Sequence, residues 1–486
     1  MTPDHVDVLI VGAGLSGIGA GCHLQAKCPQ KSFAILEARE AMGGTWDLFR
    51  YPGIRSDSDM FTLGYSFRPW LEAKAIADGP SILDYICETA RDHGVAEKVR
   101  YGHEVVAAHW STEASRWTVE AKRTDTGEIV RITCGFLFTC TGYYRYDEGF
   151  TPEFEGLDRF GGRFVHPQHW PEDLDYAGKR VVVIGSGATA VTLIPAMAKT
   201  AAHVTMLQRT PSYVVALPAE DPFAKLVRRL LPRKPAYSVI RWKNVLLTQL
   251  SFVLSRRAPR LMKAFFREGA KRALPDGYDV DTHFKPPYGP WDQRVCLVPD
   301  ADLFKAVGRG DAEIVTDRID TFTETGIRLQ SGAELEADVV VSATGLNLLA
   351  LGGMALTVDG TEIDLSETVG YKGLMFSGLP NLAVALGYTN ASWTLKSDLT
   401  CEYVCRLLNH MDARGYRQVL PPNPGPSVYR EPFIDLKAGY VMRSIDNFPK
   451  QGHRAPWRLF QNYARDIVLL KRGEIEDGTL RFSAGA

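Results

Sequence analysis

The sequence predicts an α/β chain of two Rossmann-like, parallel-sheet domains, with a helical insertion in the second. Three observations carry that prediction. An apolar run, Val6 to Val11, feeds directly into Gly12-Ala13-Gly14-Leu15-Ser16-Gly17, and the same order of strand, glycine turn and helix start returns from Arg180 to Ala190. Each repeat closes on a further apolar run ending in Thr-Gly, Phe136 to Gly142 in the first and Asp338 to Gly345 in the second. Phe223 to Arg272 interrupts the second repeat with a stretch of helical character that a dinucleotide fold does not need. A chain of 486 residues is also too long for one simple core.

Hydrophobic residues make up 45% and charged residues 23% of the chain, the balance of a globular protein. A net charge of −1 advertises no nucleic-acid partner. The N-terminus reaches strand-like sequence by Val6 without a basic and apolar leader, so a cytoplasmic protein is expected. The uncharged run Asn244 to Ser255 is too short to span a bilayer, which takes ~20 residues. Eight cysteines are scattered without a C-x-x-C pair or a zinc spacing, which leaves no metal site and no flavin-disulfide reductase.

In the first turn, Gly12 permits the tight bend, Gly14 lets backbone approach a pyrophosphate and Gly17 lets helix and strand pack closely. The helix start at Leu15 and Ser16 offers N–H groups to phosphates. The next strand, Ser32 to Leu36, delivers Glu37 twenty residues beyond Gly17, where a carboxylate takes ribose hydroxyls. Gly43 to Asp57 is an irregular loop, and Trp46, Phe49 and Tyr51 within it suggest packing on something large and flat, such as a flavin ring. Ser81 to His93 reads as a helix, and Val99 to Trp110 and Arg116 to Val130 as a β-meander.

The second turn is Gly185-Ser186-Gly187-Ala188-Thr189-Ala190. Its following strand, His203 to Gln208, ends in Arg209-Thr210 where the first repeat has an acid, and a cation there suits a 2′-phosphate. FAD in the first site and NADPH in the second account for both patterns, with Thr344 and Gly345 closing the second. Phe223 to Arg272 carries fourteen Lys or Arg against one acid, Glu268. It reads as a solvated helical insertion packed on the core, or as a basic surface that steers NADPH or touches an anionic membrane peripherally. The expected domains are 1–145 and 347–486 for the flavin, 176–221 and 285–346 for the nicotinamide coenzyme, 146–175 as linker and 222–284 as insertion. Asn390 to Leu407 reads as a helix, Cys401 and Cys405 within it as packing, and Phe448 to Trp457 as a loop covering the site.

The linker contains Phe160-x-Gly162-x-x-x-His166-x-x-x-Trp170-Pro171. This pattern, together with Gly43-Gly44-Thr45-Trp46 through Tyr51-Pro52-Gly53 to Asp57, resembles the type I Baeyer–Villiger monooxygenases over nearly the whole chain. The segments Trp291-Asp292-Gln293-Arg294 and Gly387 to Lys396 resemble the branch that includes the ethionamide-activating monooxygenase of mycobacteria. The resemblance implies that NADPH reduces FAD, that a C4a-peroxyflavin forms with O2, and that a ketone becomes an ester or lactone, with sulfides oxidised as well. It implies Arg294 as the catalytic cation held by Asp57, and Gly44, Thr45, Trp46, Tyr51 and Asp57 as flavin contacts. Phe160, Gly162, His166, Trp170 and Pro171 become hinge residues, and Ser392 and Trp393 line the substrate pocket. Gln293 departs from the family's usual Lys and weakens the NADPH preference. A flavin-containing monooxygenase acting on sulfur or nitrogen, and an NADPH oxidase-like flavoprotein, are the alternatives.

Overall fold

The computed structural model describes residues 4–484. Its first strand, Asp4–Val11, is fully buried from Val8 to Ile10 because it pairs in parallel on both sides, with Phe33–Leu36 and with Ile129–Thr139. A strand enclosed on both faces needs a continuous apolar run, which is what the sequence supplies. The sheet runs from Thr361–Glu362 and Ala355–Val358 through the meander His103–Ser111, Arg116–Arg123 and Ile129–Thr139. It continues through Asp4–Val11 and Phe33–Leu36 to Val99–Arg100, while Leu382–Val384 also pairs with Ile129–Thr139. The expected short strand Phe136 to Gly142 is therefore the end of an eleven-residue strand, antiparallel to one neighbour and parallel to another. Helix Trp393–Arg414 packs on helix Leu15–Lys27 and buries Cys401 and Cys405 between them.

The second sheet is wholly parallel, in the order Ala312–Thr316, His203–Gln208, Arg180–Ile184, Val339–Ser342 and Arg163–Val165. Its last strand lies inside the stretch expected to be a linker, so residues 163–165 belong to this sheet. Three residues are too few to show an alternating pattern. Two glycines are dictated by close approach. A Cβ on Gly17 would stand 1.8 Å from the Gly12 carbonyl oxygen, and one on Gly185, at φ +138°, would stand 2.3 Å from that of Ala343.

The insertion forms helices Pro222–Leu230, Arg233–Arg257 and Pro259–Ala273. Asp221 caps the first of these by accepting the N–H groups of Phe223 and Ala224, and a proline opens the first and third. The middle helix is seated on the flavin-side core, which Tyr237 and Ile240 join. Buried Arg241 donates to the carbonyls of Phe61 and Gly64, both at 2.8 Å, and Asn244 donates to Asp59 at 2.8 Å. The segment 448–457 does not cover a site. Lys450–Gly452 pairs with Arg430–Pro432, and Trp457 is buried against Tyr371.

Candidate active site

A long cleft between the two sheets is lined by both glycine turns, by the Gly43–Ser58 loop and by Arg294, Tyr388 and Trp393. On the flavin side, Gly14 precedes helix Leu15–Lys27 and lines the cleft with Leu15 and Ser16, at the helix end whose first-turn N–H groups have no intrahelical partner. Glu37 is buried. One of its carboxylate oxygens accepts the Ala13 N–H at 2.7 Å and the other the Arg39 N–H at 3.0 Å. Burial raises its pKa, against the pull of those two N–H groups. A carboxylate has about four acceptor positions, so two remain for ribose hydroxyls. Thr45 bonds Tyr146 across the cleft at 3.1 Å. The donor set, a helix N-terminus beside a buried acid, fits FAD.

The aromatic residues of the loop line the cleft and also pack into the cores of both domains. Leu48, Phe49 and Tyr51 join the core of the second domain with Val191 and Ile194, while Trp46 packs on the first. A Cβ on Gly53 would stand 2.7 Å from that of Ala196, so this loop is pressed onto helix Ala188–Met197. Flat surfaces were needed to join two domains. Burial pushes the Tyr51 hydroxyl up to about 12 beside Thr189, keeping it a neutral donor at the junction of the two sites.

On the other side, Gly187 precedes helix Ala188–Met197, and a Cβ there would meet nothing within 4 Å. Open space before the second glycine fits a pyrophosphate. Ser186 is taken up by the Thr210 carbonyl and the Ser212 hydroxyl, both at 2.9 Å. Arg209 stands exposed at the end of its strand and has no hydrogen-bond or ion-pair partner among the described residues. Thr344 bonds the Phe150 carbonyl at 2.7 Å.

Arg294 reaches across the cleft to Asp57, its Nη1 donating to Oδ2 at 2.6 Å. Burial opposes its charge, yet Asp57 foremost, then the oxygens of Tyr143, Tyr440 and Tyr144, hold it well above the ordinary arginine range. Its Nε is buried without a partner among the described residues, a donor free for an anionic ligand. The Tyr143 ring lies 5.3 Å from that of Trp393, whose indole N–H donates to Ser16 at 2.7 Å. An unbroken line thus runs from the cation to the first glycine turn. Ser392 does not share it. Its hydroxyl is buried against Thr62 at 2.6 Å, because adjacent residues at a helix start point different ways. Tyr143, Tyr144 and Tyr440 were not anticipated, since nothing local in the sequence marks them.

The fingerprint residues are built into the second domain. Phe160 packs on Phe322 with ring centroids 5.8 Å apart, and a Cβ on Gly162 would stand 2.5 Å from the Asp338 carbonyl oxygen. Trp170, followed by Pro171, lies against Tyr176. His166 accepts the Gln168 N–H at Nδ1, which puts its own proton on Nε2, 3.1 Å from the Gly345 carbonyl. Buried Gln168 then donates to the carbonyls of Arg145 and Tyr146 at 2.9 and 3.0 Å, tying strand Tyr144–Gly149 in place. No group of acids, histidines and cysteines able to hold a metal occurs among the described residues.

Two dinucleotide turns facing one cleft, with an arginine between them, define the class of flavin- and nicotinamide-dependent oxygenases. Residues 74–257 match the flavin-binding monooxygenase-like family, and residues 10–72 a NAD(P)-binding Rossmann-like domain. The FAD-containing monooxygenase EthA of Mycobacterium tuberculosis is 56% identical over 99% of this chain and 98% of its own. EthA of Mycolicibacterium smegmatis is 53% identical over 99% of this chain and 97% of its own. This chain belongs to the FAD-containing monooxygenases. In fold it matches a steroid monooxygenase bound to NADP, with a TM-score of 0.76 and 24% identity over 99% of this chain and 100% of the other. It also matches the cyclohexanone monooxygenase of Rhodococcus sp. Phi1, with a TM-score of 0.75 and 21% identity over the whole of both chains.

Burial lowers the His166 pKa, so the site favours the neutral ring. A depressed pKa contributes stability that is present above the unfolded value of ~6.5 and lost as pH falls through the folded value. His166→Ala should cost about 1–3 kcal/mol near pH 8, because the Gly345 carbonyl loses its donor. The gap between the melting curves of the two proteins should narrow as pH falls below ~6.5. A gap that does not change with pH contradicts this role.

Proposed function

We propose that this protein is an NADPH-dependent Baeyer–Villiger monooxygenase that converts ketones to esters or lactones. The observation that carries the reading is the pair Arg294–Asp57, which opens into the one cleft shared by both glycine turns. FAD, when bound, would supply the hydride acceptance from NADPH and the activation of O2. The chain's own residues do the rest. The Gly12–Ser16 turn and Glu37 hold the flavin nucleotide, with Thr45, Trp46 and Tyr51 along the cleft. Gly185, Gly187, Ala188, Thr189 and Arg209 hold the coenzyme, with Thr344 and Gly345 at the end of its sheet.

Arg294 presents a permanent cation to the cleft, where it stabilises negative charge developing on transferred oxygen. Asp57 fixes the guanidinium in one orientation, so its charge is in place before the reaction begins. Tyr143 and Trp393 bound the apolar space beside it. Solved structures of this fold include a steroid monooxygenase and a cyclohexanone monooxygenase, and the second is named for a ketone.

Two outcomes test the proposal. Arg294→Ala should bind FAD and consume NADPH, yet lose ester formation ~10²–10³-fold and release hydrogen peroxide instead. Ester at the unmutated rate, measured by mass spectrometry on a panel of ketones and sulfides, contradicts the assignment. Arg209→Ala should raise the KM for NADPH about 10–100-fold, the worth of one charge-assisted hydrogen bond, while leaving that for NADH nearly unchanged. Equal efficiency with NADH and NADPH before mutation removes that role from Arg209.

A further inference from the structure

Among the described residues eighteen large apolar side chains stand exposed, and thirteen of them fall between Leu217 and Phe265. Scattered exposed leucines are ordinary, but a concentration in a tenth of the chain marks a surface that something covers. Helix Arg233–Arg257 shows why. Its inner face, with Tyr237, Ile240 and Asn244, is spent on the flavin-side core. On the opposite face Val239, Trp242, Leu246, Leu250 and Leu254 recur every three or four residues and stay exposed. A surface helix normally shows one apolar stripe, turned to the core. This one has two.

The cations are placed with equal order. At the corner after Pro222–Leu230, exposed Leu230 and Leu231 sit beside Arg229, Arg233 and Lys234. At the next corner, Leu261 and Phe265 sit beside Arg257, Arg260 and Lys263. None of these six cations has an ion pair among the described residues, whereas Lys225, Lys243, Arg256 and Arg267 elsewhere in the insertion do. Apolar side chains fringed by unpaired cations match the two layers of a lipid surface, anionic headgroups over hydrocarbon. A second copy of this face would instead bring like charges together. No helix among the described residues is long and apolar enough to cross a membrane.

We propose that the insertion docks this enzyme on the surface of an anionic lipid bilayer, with its two corners and the Val239–Leu254 stripe lying among the headgroups. The proposal does not depend on which substrate the cleft oxidises. The test uses the full-length, FAD-loaded protein and sedimentation with phosphatidylcholine vesicles, with and without phosphatidylglycerol as a third of the lipid. Binding should require phosphatidylglycerol and weaken with added salt. Leu261→Ser with Phe265→Ser, and separately Arg257→Gln with Arg260→Gln and Lys263→Gln, should each lower the vesicle partition coefficient roughly tenfold or more. Unchanged flavin content and NADPH consumption show that those variants remain folded. The proposal is overturned if the unmutated protein stays in solution with anionic vesicles, an arm that needs no variant. It also fails if folded variants bind as well as the parent. Self-association in sedimentation velocity, abolished by the serine pair, would assign the face to a second copy instead.

Discussion

One ion pair depends on both domains being in place, and the chemistry proposed for the cleft depends on it in turn. Arg294 follows the insertion and enters the second domain's strand Cys296–Pro299, whereas Asp57 ends a loop of the first domain. Their 2.6 Å contact exists only while the two domains hold one relative position. The pair is half-buried at the edge of the cleft, so it adds to the fastening of the two domains without being sealed from solvent. Around it the loop that carries Asp57 is fastened twice more. Leu48, Phe49 and Tyr51 are sunk in the second domain's core, and Arg55 bonds Asp302 on the helix Asp302–Gly308.

The fingerprint segment does complementary work from the other direction. Its strand Arg163–Val165 completes the second sheet, His166 holds the Gly345 carbonyl, and Gln168 holds the strand that leads back to Tyr143. Tyr143 in turn faces Arg294 and Trp393. These residues link the second sheet to the strand beside Tyr143 by direct hydrogen bonds. The insertion adds a third fastening, since Asn244 holds Asp59 two residues beyond Asp57. A surface contact on that helix is thereby mechanically close to the site.

What the sequence reveals about this molecule follows from how local each feature is. Both glycine turns are legible because strand, turn, helix and the acid or cation at the next strand's end fall within about thirty residues. Arg294 and Asp57 are 237 residues apart, and only the resemblance to a family could bring them together. Tyr143, Tyr440 and Gln168 carry no local mark, because each works through a contact made by the finished fold. Ser392 and Trp393 are neighbours in sequence, yet one faces Thr62 and the other the cleft. The aromatic loop shows from sequence alone that something flat packs on it, but not that the second domain's core takes Leu48, Phe49 and Tyr51. The basic charge of the insertion is countable from sequence. Its second apolar face is not, since that requires knowing which face the core already occupies.

On this mechanism Asp57 acts only through Arg294. A double-mutant cycle tests it most directly, with the fraction of oxidised NADPH recovered as ester measured for Asp57→Ala, Arg294→Ala and the double variant. If the aspartate merely orients the arginine, the double variant should lose no more than Arg294→Ala alone. Losses that add in full would show two independent contributions and contradict the account.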